Sequence, residues 1–68
     1  MESIQDILEV QVVDATSLSD TIEMLINICH AKAEHLESNW QDRDAARAWE
    51  KAAGKIAWSL NKVKDLGL

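Results

Sequence analysis

Ile22, Ile26, Cys29, Ala33, Leu36 and Trp40 recur at alternating spacings of four and three, and Ala46, Trp49, Ala53, Ile56, Leu60 and Val63 repeat the pattern further on. That alternation lays each set along one face of an α-helix. Only the polar stretch "ESNWQDRD" separates the two sets, a link so short that the two helices are most simply antiparallel neighbours. The expected class is therefore all-α, an antiparallel helical hairpin with helices over about 18–38 and 43–65. Nothing marks an interior boundary: the chain has no proline, no Gly/Ser linker and no repeat. One domain over 1–68 is expected, divided into an arm (1–16) and a hairpin (17–66).

Local signals place the helix ends. Ser17 is a candidate N-cap for the first helix, with Asp20 and Glu23 in its early turns, where the helix dipole favours negative charge. Asp42 or Asn39 can cap the second, and Gly67 is a candidate stop. Ala45, Ala46, Ala52, Ala53, Gly54 and Ala57 are small enough to admit a close neighbour. Ile22, Ile26, Leu36 and Trp49 are then expected to fill the space opposite them. Trp40, beside the polar turn, is expected to close the end of the core.

Size limits what such a hairpin achieves alone. A chain of 68 residues buries only about 60% of the surface its unfolded form exposes, and small folds usually add disulfides, a metal or another chain. A single cysteine rules out an intrachain disulfide, and its place after the run Met24–Ile28 marks Cys29 as a buried hydrophobe. Extra burial is thus expected from association. The first helix carries the surplus, because Met24, Leu25 and Ile28 lie outside its main seam, and a helix with one neighbour needs a narrower stripe. These three residues are the expected dimer interface of a homodimer, effectively a four-helix arrangement.

Charge is polarised along the chain. Residues 1–30 carry Glu2, Asp6, Glu9, Asp14, Asp20 and Glu23 with no Lys or Arg, whereas 31–68 hold seven bases and six acids. The net charge of -5 argues against gripping phosphates, which takes clustered Lys and Arg. No apolar stretch approaches the ~20 residues of a membrane span. One thiol and no signal peptide point to the cytoplasm.

The segment "SIQDILEVQVVDAT" admits two structures. As a helix it groups Ile4, Ile7, Leu8 and Val12; as a strand, Leu8, Val10 and Val12 alternate with their neighbours, and the β-branched content suits that. A lone strand needs a mate from another chain. The arm is expected to be either a short helix or apolar arm folded on the hairpin, or an intermolecular strand.

No catalytic or metal-binding constellation is present. His30 and His35, five apart, project about 140° from one another on a helix, so they cannot share a metal. The serines have no base at motif spacing, and there is no Gly-rich phosphate loop. The chain is read as no enzyme, with no cofactor and no metal.

Trp58 is the residue the hairpin does not explain. Nine positions from Trp49, it projects about 180° away, onto the side carrying Lys51, Lys55 and Lys62 and one turn beyond Gly54. An interior glycine costs about 1 kcal/mol relative to alanine. Three roles are open: Trp58 lies flat under lysine stems, fills the notch at Gly54 of a second copy, or anchors a different protein, as Trp often does in binding hot spots. Trp58, Gly54, Lys51, Lys55 and Lys62 are the candidate partner-binding residues.

Absence of chemistry fits a protein that acts by stoichiometric binding. The layout of "MLINICHAKAEHL" followed by "ARAWEKAAGKIAWSLNKV" resembles small helical inhibitor proteins encoded by phages and prophages, of the anti-activator or anti-CRISPR type; the resemblance covers the hairpin. It implies a small acidic module that modulates or inhibits a cytosolic protein. Two other functions remain open: a DNA-linked regulator or DNA mimic using the acidic N-terminal half, and a structural subunit of a larger assembly. In each case one copy is expected to leave Ile28 and Trp58 uncovered.

Overall fold

The computed structural model describes residues 3–40 and 42–68, with the backbone alone at 39 and 40. A short helix α1, Ile4–Ile7, runs directly into a π-helical segment π1, Leu8–Val13. A turn leads to α2, Leu18–His35, which continues into a second π-helical segment π2, Leu36–Trp40, and then to α3, Arg43–Asp65. There is no strand among the described residues. The all-α class and the two hairpin helices are as the periodicity implies, with the end of the first rewound from α to π. The expected closure of the core by Trp40 concerns a side chain outside the described residues.

Capping explains the boundaries. Ser17 has an extended backbone, and its hydroxyl accepts the Asp20 N–H at 3.0 Å, starting α2. Asp42 does the same for α3, accepting the Ala45 N–H at 3.0 Å, so Asp42 rather than Asn39 is the cap. Gly67 ends the last turn at φ 79, where only glycine is unstrained. Beyond it the Leu68 backbone oxygen accepts the Ser19 N–H at 3.1 Å. That bond satisfies one of the donors α2 leaves open in its first turn and ties the end of α3 to the start of α2.

The arm is helical, which overturns the intermolecular-strand alternative. Ser3 and Asp6 form a reciprocal capping box, with the Asp6 N–H donating to Ser3 Oγ at 3.1 Å and the Ser3 N–H to Asp6 Oδ2 at 3.3 Å. Downstream the winding loosens, and the Asp14 N–H reaches back five residues to the Glu9 carbonyl at 2.8 Å. In π winding, residues five apart stack one turn above another, so Val12 follows Ile7 and Val13 follows Leu8. With Ile4 these form one apolar stripe. Among the described residues the arm meets the hairpin through π1, which packs on α2 with Val12 and Val13 half-buried, while α1 reaches neither hairpin helix, so the short helix rests on the hairpin at its base only. Ile4 is 86% exposed.

Within the hairpin the packed centre is made of small residues. Cys29 and Ala33 of α2 and Ala46, Ala53 and Leu60 of α3 are buried, Ala53 to 1% exposure. Small residues dominate the seam, bringing the helices close, and Leu60 near its end is the one large side chain among the described residues that is buried there. Ile22, Ile26, Leu36 and Ile56 are half-buried beside it, and Trp49 remains 36% exposed. The seam thus pairs buried small residues with Leu60 and with half-buried large flanks, and of the large residues expected opposite the alanines Trp49 is the most exposed. Among the described residues no large side chain is fully enclosed.

The consequence is a flat molecule, 37 × 34 × 13 Å across its Cα atoms. Two helices 8–10 Å apart occupy about 15 Å of breadth, and the arm, projecting beside them, supplies the remainder. The radius of gyration is 14.0 Å, against about 11 Å for a compact domain of this length. Its accessible surface of 5435 Å² exceeds the roughly 4,300 Å² expected for a compact monomer of this mass by about 1,100 Å². Domains bury a core between two layers; this chain supplies one.

Candidate protein-interaction surfaces

Two ion pairs orient the layer. His30 Nδ1 lies 3.2 Å from Glu50 Oε2, and Lys64 Nζ lies 3.8 Å from Glu23 Oε1. Both join α2 to α3, and moving back along α2 from His30 to Glu23 moves forward along α3 from Glu50 to Lys64, as antiparallel helices require. They also mark one face of the layer as polar. Leu25 and Ile28 project to the other side of α2, and Ala52, Ile56 and Val63 to the other side of α3. The second face is therefore apolar.

Met24, Leu25 and Ile28, the expected dimer residues, are brought together on this apolar side and on the outer edge of α2. On an ideal helix they point between about 60° and 160° away from the buried Cys29 and Ala33. All three are exposed, Ile28 to 50%. Along the same edge the next turn forms a shallow notch lined by Ile28, Ala31, Lys32 and His35. Its apolar floor and basic rim went unnoticed in the sequence, although the spacing 28, 31, 32, 35 carries the signal. Lys32 forms no ion pair among the described residues.

Trp58 occupies the opposite edge, on the side of α3 turned away from α2, and is 68% exposed. Lys62 places its Nζ 5.4 Å from the ring centroid, within range for a cation–π attraction. Lys51 and Lys55 lie on the same side of α3, so the edge is basic on a chain of net negative charge. Gly54 stands one turn before Trp58, and a Cβ built there meets nothing within 4 Å. No packing within the chain requires glycine at that position.

Cys29 is buried and free, in keeping with a core role. His30 is engaged with Glu50. Among the described residues no cluster of three or more His, Cys, Asp or Glu side chains is placed to hold a metal ion. A notch near the hairpin link is lined by Glu37, Arg43, Ala46, Arg47 and Glu50, a mixed-charge surface without a buried polar group aimed into it. No helix of the described residues is long and apolar enough to cross a membrane.

No protein-family profile, no curated protein and no solved structure matches the chain.

Proposed function

We propose that this protein is a small acidic binding module that acts as a homodimer and modulates or inhibits a cytosolic target by stoichiometric association through the Trp58 edge. The carrying observation is Trp58, 68% exposed, beside a helix-interior glycine that its own chain leaves open. A large aromatic ring next to an unfilled notch is the arrangement that buries well in a partner, since indole offers much apolar area at low entropic cost. The lysines around it favour a target with an apolar pocket rimmed by carboxylates. The apolar surface along α2, at the far edge, is then left for a second copy.

The test is capture from a lysate of the source cells with wild type and Trp58→Ala in parallel, followed by reconstitution with the purified target. A protein retained by wild type, lost with Trp58→Ala and binding in simple stoichiometry supports the proposal. Equal retention by both forms refutes the Trp58 edge. The exposed acids of the N-terminal half, Asp6, Glu9, Asp14 and Asp20, favour a second mode, mimicry of DNA. Its signature is steep weakening of target binding with salt and loss on neutralising Asp14, Asp20 and Glu23, with Trp58→Ala silent. A fixed place in a larger assembly, without self-association, is the remaining outcome.

A further inference from the structure

We infer that the dimer is clasped by its arms: the helical arm of each copy, through Ile4, Ile7 and Leu8, docks in the Ile28–Ala31–Lys32–His35 notch on α2 of the other. The inference rests on the homodimer proposed above and specifies how it is built.

The first support is geometric. The arm leaves the start of α2, touches α2 only through π1, and projects sideways in the plane of a layer 13 Å thick. Arm and outer edge of α2 thus enclose a corner. Apposing two such edges about a twofold axis near Met24 and Ile28 makes the two α2 helices antiparallel. The start of each then lies beside the C-terminal half of the other, where the notch is. Ten helical residues, 4–13, span up to about 15 Å, enough to cross a helix of 10–12 Å diameter.

Chemistry matches at both ends. The arm offers an apolar stripe with the acid Glu9 following Leu8, while Asp6 is held on the other side of the arm by its capping box, and no Lys or Arg precedes residue 31. The notch offers an apolar floor from Ile28 and Ala31 with Lys32 on its rim, a base that has no carboxylate partner among the described residues. The capping box at Ser3 and Asp6 preforms the first turn of the arm, which lowers the ordering cost of docking.

Area agrees as well. Each copy carries about 1,100 Å² more accessible surface than a compact monomer of its size, and a stable interface takes about 800 Å² from each partner. Ile4 at 86% and Ile28 at 50% exposure are the residues such an interface covers.

The test is complementation by sedimentation at micromolar concentration, using the full chain. One variant carries Ile4→Glu with Ile7→Glu in the arm; the other carries Ala31→Glu in the notch. All three substituted side chains are exposed, and circular dichroism checks that helicity is kept. Each variant alone should dimerise about ten-fold or more weakly than wild type, the loss of at least one buried aliphatic contact per site. Mixed, they should recover heterodimers, because one intact arm meets one intact notch. Wild-type-like dimerisation of the arm variant, or folded variants that fail to complement, overturns the clasp while leaving the dimer in place. A wild type that is monomeric throughout the range removes the dimer itself.

Discussion

Trp49 and Trp58 stand on opposite sides of α3, the first 36% exposed where it flanks the seam with α2 and the second 68% exposed at the outer edge under Lys62. Two indoles on one helix, nine residues apart, thus serve different surfaces. Trp49 covers the flank of a seam too tight to admit it. Trp58 is turned outward with the Lys62 ammonium over its ring, and the glycine beside it is unexplained by intrachain packing. Replacing Trp58 with alanine should leave far-UV helicity unchanged and the unfolding midpoint nearly so, while abolishing target capture. Substantial loss of helicity would move Trp58 into the core.

Gly54→Ala separates folding from binding. With nothing within 4 Å of the added Cβ, the substitution should stabilise α3 by about 1 kcal/mol, raising the thermal midpoint by roughly 4–8 °C. If the notch receives a partner, the same change weakens association. A more stable protein with unaltered binding would show that the notch is not used.

The alanine seam sets a strict limit on volume. Ala53 is 1% exposed between the helices, and Ala53→Leu should cost about 1–3 kcal/mol by forcing them apart. Chemical denaturation measures the loss. A neutral result would mean that α2 and α3 separate more easily than their small-residue contact implies.

Asp42 is the cap that starts α3 after the hairpin link. Asp42→Ala should destabilise by about 1 kcal/mol, and Asp42→Ser by much less. The His30–Glu50 pair makes an instructive contrast, since both side chains are about half exposed. Its removal by Glu50→Ala should change stability by less than about 1 kcal/mol.

Association should appear in the unfolding transition itself. A homodimer folded through contacts between copies gains stability with protein concentration, so the thermal midpoint should climb on concentrating wild type. For Ile28→Glu, which puts charge at the proposed twofold contact, the midpoint should be lower and independent of concentration. A wild-type midpoint that stays constant across a hundred-fold dilution, about 2.7 kcal/mol in mass action, would count decisively against dimerisation.

Periodicity alone settled the hairpin. Apolar spacing of three and four specifies which side of each helix turns inward, and the caps Ser17 and Asp42 with the stop at Gly67 follow from local backbone chemistry within a few residues. The arm was open between helix and strand in the sequence; the structure resolves it through the Ser3–Asp6 capping box, a local signal whose spacing is in the sequence and which outweighs the strand propensity of Val10, Val12 and Val13. The exposure of Ile28 and Trp58 also follows from the sequence, because their positions fall off the seam by simple helical geometry.

What the sequence left open depends on contacts between segments far apart in the chain. Whether Trp49 or Ala53 occupies the centre of the seam turns on how closely two backbones approach, and alanines on both sides let them approach until an indole no longer fits. Whether the arm covers its own hairpin turns on the direction in which residues 14–17 send it, which no periodicity encodes. The same turn leaves the apolar stripe of Ile4, Ile7 and Leu8 beside a one-layer hairpin instead of above it. Tertiary structure alone therefore decided that the molecule is flat, because flatness is a property of how helices are laid together and each helix by itself would suit a bundle equally well.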